Sequence, residues 1–201
     1  MTDFTTERAQ VIAAANSCRS QALQTGNGGN ISVRIAGTDL MAVKATGASF
    51  SDTDLSAVVI SDYGGDLVEG GRRPTKESLL HGAIYTAFPE VSAVVHCHSP
   101  WATGWATTGR PLPNVTYHSE LKLGGPVTVI DTGRYSVLAD RVPEVLAAFN
   151  GPPAIRAVLL KGHGFVALGR DIKDAMQTAE LVEETAQIAV IGELLRGVGP
   201  S

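Results

Sequence analysis

The chain has 201 residues, 44% of them apolar and 18% charged, the ordinary balance of a globular protein long enough to bury a substantial core. A formal net charge of -4 leaves no basic stripe to neutralise phosphates, which excludes a nucleic-acid partner, and no apolar run approaches the roughly 20 residues that would span a bilayer. The opening Met-Thr-Asp-Phe-Thr-Thr-Glu-Arg lacks the basic start and apolar run of a signal peptide, and two cysteines make no disulfide framework, so a reducing, cytoplasmic setting is expected.

Residues 6–24 read as an amphipathic helix in which Val11, Ile12, Ala15 and Cys18 recur at helical spacing. A glycine-rich turn over 25–30 leads into a strand at 31–34, and 40–44 reads as its antiparallel partner, closed by the turn Thr46-Gly47-Ala48. Residues 57–61 and 66–69 form a second pair around Tyr63-Gly64-Gly65. Pro74 and Thr75 open a helix over 77–87, because proline suits a first helical turn and threonine can cap it. A strand at 91–98 follows, then a short helix at 101–108 ending at Gly109, a strand at 127–130 and a helix at 136–149. The apolar strand at 157–160 is expected to continue through Lys161-Gly162-His163-Gly164 into 165–168, and Asp171 to cap a long helix over 172–196. Strands interleaved with helices, with no repeat or linker, predict one layered α/β domain over residues 1–201.

Val95-His96-Cys97-His98-Ser99 is the most informative stretch. Residues two apart on a strand point the same way, so His96 and His98 emerge together while Cys97 faces the other layer. Two imidazoles on one face are two of the three protein ligands that a catalytic zinc site needs. His163, set between Gly162 and Gly164 just past an apolar strand, is the third candidate. His81, four residues after Glu77 in a predicted helix, reads as a packing or supporting group, and His118 lies in an irregular segment; both are left out of the metal set. Glu77 opens a helix, where a carboxylate is favoured, and near a metal it would serve as the proton-transfer group. The turns at 25–30, 46–47 and 74–76 offer backbone N–H groups and short polar side chains of the kind that cradle phosphate. They are neither a Walker loop nor a dinucleotide fingerprint, since no Gly-Lys-Ser/Thr follows and the first turn leads from a helix into a strand.

Taken in order, these motifs resemble the class II sugar aldolase/adducin-head family over nearly the whole chain. Gly28-Gly29-Asn30-Ile31-Ser32 resembles its phosphate turn, and Thr46-Gly47 its Thr-Gly turn. Arg73-Pro74-Thr75-Lys76-Glu77 resembles its Pro-Ser-Ser-Glu segment, His96-Cys97-His98 its His-X-His strand end, and Gly162-His163-Gly164 its His-Gly turn. The resemblance implies a three-layer αβα domain around a central mixed, mainly antiparallel sheet. It also implies one Zn²⁺ per subunit on His96, His98 and His163, and a homotetramer with active sites at its interfaces. Glu77 would be the catalytic acid/base, and Gly29, Asn30, Thr46, Gly47, Thr75 and Lys76 would line the phosphate site. Tyr117 would match a tyrosine that protonates the leaving aldehyde in a neighbouring subunit's site. The implied reaction is retro-aldol cleavage of a short ketose phosphate, fuculose-like or a deoxy-pentulose phosphate, through an enediolate stabilised by zinc. Lys76 stands where these aldolases commonly have serine and resembles decarboxylases of 3-oxo-tetronate-type sugar-acid phosphates, the alternative reading. A methylthioribulose-phosphate dehydratase has less support. Adducin-like interaction heads lose the histidines that this chain keeps.

Overall fold

The computed structural model describes residues 4–51, 54–150 and 156–197. An eight-stranded sheet forms the middle layer, in the order β4(Leu67–Glu69)-β3(Val58–Asp62)-β2(Leu40–Lys44)-β1(Asn30–Ile35)-β5(Ala93–Cys97)-β8(Gly164–Gly169)-β7(Ala157–Leu160)-β6(Val129–Ile130). All neighbours run antiparallel except β6 and β7, so the sheet is mixed and mainly antiparallel.

Alternation along the strands divides the apolar residues between two cores. Ile31, Val33, Val95 and Phe165 face α1(Thr5–Ser20), α3(Pro100–Ala106) and α6(Ile172–Gly197). Val94, Val158 and Val166 face α2(Ser78–Ala87) and α5(Val142–Phe149). Burial of both faces gives the three layers. Among the described residues no helix is long and apolar enough to cross a membrane.

Specific hydrogen bonds and one glycine explain several helix ends. The short helix α4(Tyr117–Leu123) starts at a capping box of Thr116 and Ser119 and stops at Gly124, whose φ of 84° is left-handed. Asp171 accepts from Asp174 N–H at 2.8 Å as the cap of α6. At α3 the cap comes from another element: Glu183 of α6 accepts from Ser99 Oγ at 2.5 Å and from the backbone N–H of Trp101 and Ala102 at 3.0 and 2.8 Å. That clamp fixes the chain directly after His98.

Three sequence expectations change. His118, expected in an irregular segment, lies in α4, which the Thr116 capping box starts. The predicted helix at 136–149 begins only at Val142, because Val137 N–H donates out of the segment to Glu77 Oε1 at 2.7 Å and Pro143 sits in the first turn of the helix that does form. The stretch 157–168 is not one continued strand. It folds back as the antiparallel pair β7 and β8, with Gly162 and Gly164 at φ 65° and 149° in the turn.

Candidate metal and substrate site

The central strands β1, β5 and β8 build the site. Asn30 and His96 are cross-strand partners, so both side chains emerge on the face covered by α2. His98 lies one residue past β5, and His163 in the β7–β8 turn returns to the same end of the sheet. One ring nitrogen from each of His96, His98 and His163 lies within 4.8 Å of the others, and the three ring centroids are 4.7 to 4.8 Å apart. Gly164 permits this closure: a Cβ there would lie 2.2 Å from Cys97 O and 3.0 Å from the His98 ring. Gly29 does the same beneath the first turn, at φ 64° and with no room for a Cβ against the His96 carbonyl.

The imidazole set fits a cation. His96 Nδ1 is 2.8 Å from the Phe165 carbonyl, which can only accept, so that nitrogen carries the ring hydrogen and Nε2 presents a lone pair. That lone pair faces His98 Nε2 at 3.0 Å and Glu77 Oε2 at 3.3 Å. A bound cation satisfies both contacts, whereas a hydrogen on His98 Nε2 would satisfy the first alone. Burial and the neighbouring imidazoles lower His98 to about 3 and His163 to about 4, so both are neutral at pH 7, the form that binds metal. A tetrahedral zinc with bonds of about 2.0 Å requires nitrogens about 3.3 Å apart; His96 Nε2 and His98 Nε2 are 3.0 Å apart, and all three nitrogens lie within 4.8 Å of one another.

Glu77 is the residue before α2 and makes no side-chain cap bond to its own helix. Its carboxylate turns inward instead and accepts from Asn30 Nδ2 at 2.8 Å and from Val137 N–H. Burial pushes the carboxyl up, but His96, the Val137 N–H and the Asn30 amide outweigh it and hold Glu77 at about 2.

Above these groups opens a cavity of about 500 Å³, bordered by Gly28, Gly29, Asn30, Thr46, Gly47, Thr75, Lys76, Glu77, His98 and His163. All six residues expected to hold phosphate therefore meet around one space. Thr46 Oγ1 donates to Pro74 O at 2.7 Å, tying the second and third turns together. Lys76 is exposed at the rim, its ammonium 5.7 Å from the Tyr135 ring. Tyr117 is not brought in: it is 93% exposed on α4 and does not border the cavity.

Four contributors escape the sequence reading. Lys44 is only 2% exposed yet borders the cavity, its Nζ donating to Ala48 O at 2.6 Å, and burial followed by repulsion from Arg72 lowers it to about 8. Gln24 accepts from His98 N–H at 2.8 Å. Tyr135 and Ser136 border the cavity at the start of the segment expected to be helical from 136. A strand-end lysine carries no sequence mark of burial; for Ser136, Pro143 was the available signal that the helix starts later.

The family model described as Class II Aldolase and Adducin N-terminal domain matches residues 9–190. A 5-deoxy-D-ribulose 1-phosphate aldolase of Bacillus thuringiensis is 36% identical over 185 residues, covering 90% of this chain and 83% of the relative. An L-ribulose-5-phosphate 4-epimerase of Salmonella paratyphi C is 30% identical over 199 residues, covering 96% and 86%. Among solved structures, an L-fuculose 1-phosphate aldolase superposes with a TM-score of 0.86 at 28% identity, covering 96% of this chain and 89% of that one.

Proposed function

The chain belongs to the class II aldolase and adducin family as one of its metal-dependent aldolases, and we propose that it cleaves a short ketose 1-phosphate, of the 5-deoxyribulose or fuculose kind, into dihydroxyacetone phosphate and an aldehyde. The observation that carries this reading is the meeting of three imidazole nitrogens and an anionic, doubly hydrogen-bonded Glu77 under a cavity edged by anion-binding turns. His96, His98 and His163 would hold one Zn²⁺ per subunit, which supplies a Lewis acid for the ketose oxygens and for the negative charge left by bond cleavage.

The rest falls to the chain's own groups. The turns at Gly28-Gly29-Asn30, Thr46-Gly47 and Thr75-Lys76 bind the phosphate, and Lys44 adds a buried positive charge to the same cavity. Retro-aldol cleavage moves one proton from the hydroxyl beside the scissile bond to the carbon that keeps the bond's electron pair. Glu77 carries the proton at that carbon, its carboxylate fixed by Asn30 and Val137. Tyr117 acts at the aldehyde oxygen of a neighbouring subunit's site, in keeping with its exposure beside the 76% exposed Leu121 on α4. Residues 1–201 thus work as one domain in a cytoplasmic homotetramer.

Lys76 at the rim favours one other reading, decarboxylation of a 3-oxo-tetronate-type phosphate, because its ammonium could pair with a substrate carboxylate. The test is product analysis with zinc-loaded protein. Dihydroxyacetone phosphate from 5-deoxyribulose 1-phosphate supports the aldolase; CO₂ from the keto-acid phosphate, or interconversion of pentulose 5-phosphates alone, overturns it.

A further inference from the structure

Ser32 and Asn30 lie two apart on β1, and His81 on α2 lies four residues after Glu77, which directly precedes that helix, so the two elements present matched pairs to each other. Asn30 meets Glu77. Ser32 Oγ meets His81 Nδ1 at 2.6 Å and Tyr85 OH at 2.7 Å. All four polar side chains of this inner row, Ser32, His81, Tyr85 and Asn30, are at most 4% exposed. Two of their atoms have no hydrogen-bond partner among the described residues: His81 Nε2 and Asn30 Oδ1.

The roles of these atoms can be worked out from the anion at the end of the row. A carboxylate only accepts, so Asn30 must turn its NH₂ to Glu77, which leaves its carbonyl oxygen facing away and in need of a donor. His81 Nε2 can be that donor only in the tautomer whose Nδ1 accepts from Ser32. Ser32 then accepts from Tyr85. Every hydrogen in the row consequently points toward Glu77, and the two unpartnered atoms are one donor and one acceptor.

We propose that Tyr85, Ser32 and His81 form a directional hydrogen-bond chain that ends on Asn30 Oδ1 through one buried water, and so holds the Asn30 amide and the Glu77 carboxylate in a single orientation. His81 is here a positioning residue that touches no substrate. Its complete burial keeps the imidazole neutral, pushing it down to about 3, as a chain of this polarity requires. The functional meaning of the chain rests on the reading of Glu77 as the proton carrier; the hydrogen-bond pattern itself does not.

The experiment combines ¹⁵N-histidine NMR of the zinc-loaded protein with steady-state kinetics. His81, assigned by the signals lost in His81→Gln or, should that variant not fold, by those perturbed in Tyr85→Phe, is expected as the neutral Nε2–H tautomer with a slowly exchanging proton whose protection is lost in Asn30→Ala. Ser32→Ala is expected to lower kcat about tenfold with KM within twofold, and to have no further effect on kcat in a Glu77→Gln background. An Nδ1–H or doubly protonated His81 overturns the chain. So does an equal Ser32→Ala defect with and without the Glu77 carboxylate, which would mark a merely structural role. Wild-type turnover in Glu77→Gln would instead defeat the proposed function, while the NMR result still decides the chain.

Discussion

His163 is flanked by two glycines in left-handed conformations, and substituting each by alanine should separate crowding from backbone preference. At Gly162, φ is 65° and a Cβ would have nothing within 4 Å, so Gly162→Ala carries only the left-handed penalty of about 1–2 kcal/mol. At Gly164, φ is 149° and a Cβ would stand 2.2 Å from Cys97 O, a backbone atom with no rotamer to escape into. Relief requires β8 to move off β5 beside the Cys97–Phe165 pair, which adds an overpacking cost of about 1–3 kcal/mol to a conformational cost of about 1–3 kcal/mol. The sum, about 2–6 kcal/mol, is a large part of the 5–15 kcal/mol typical of a whole domain. The added methyl also presses on the His98 ring at 3.0 Å, so metal affinity should fall with stability. Denaturant unfolding of chelator-treated protein gives the first quantity, and zinc per subunit after dialysis the second. Equal midpoints and equal zinc for Gly164→Ala and wild type would refute the claim that this glycine is required for close approach.

Glu77→Gln should keep the metal and lose about 10²–10⁴-fold in kcat, the usual scale for a positioned proton carrier, whereas His163→Ala should lose both metal and turnover; metal analysis beside product formation tells them apart. Lys44→Met should raise KM for the phosphorylated substrate by about 10- to 100-fold, the worth of a charge-assisted hydrogen bond. Because Lys44 sits at about 8, wild-type KM should also climb as pH rises above 8 and the charge is lost, a climb that Lys44→Met should abolish in a KM–pH series. Metal-free protein should lose stability as pH falls from 6.5. His81, His98 and His163 are held below that value when folded, so the unfolded chain binds the extra protons. For the fully buried His81 this amounts to about 1 kcal/mol between pH 7 and pH 5.5, with smaller, solvent-screened additions from the other two. Glu77, lowered to about 2, acts in the same sense, but its contribution is lost only below 4.5, outside that window. Urea midpoints that do not move between pH 7 and 5.5 would contradict the burial of these imidazoles as neutral groups.

What could be read from the sequence is what local periodicity encodes. The strand holding His96 alternates faces as expected: Val94 packs in one core, Val95 and Cys97 in the other, with Cys97 Sγ 3.7 Å from Cys18 Sγ on α1. What escaped depends on partners distant in the chain. Residues 136–141 have helical composition, but one N–H of that stretch is committed to a carboxylate 60 residues away, and no local propensity competes with a buried charge that needs a donor. Lys44 ends a strand without any local mark of burial, yet both faces of β2 are covered and its ammonium reaches the Ala48 and Ala45 carbonyls and the cavity. Glu77 stands before α2 as expected, but that place invites a capping role that its side chain does not take.

The distribution of burial across the site bears on which bond is broken. His96, Glu77, Asn30 and Ser32 are at most 4% exposed and anchored on the central strands or the helix over them, so their geometry is set by the same packing that holds the sheet together. Lys76, Tyr135 and Tyr117 are exposed at the rim or beyond it. A substitution among the first group must be accommodated by the core, where volume changes cost kilocalories, whereas one among the second changes only what meets the far end of the substrate. On the proposed reading, the groups that would hold the metal and carry the proton are tied to the fold, and the choice among aldol cleavage, decarboxylation and epimerisation falls to side chains the fold does not constrain. That division fits a chain similar over most of its length both to an aldolase, at 36% identity, and to an epimerase, at 30%.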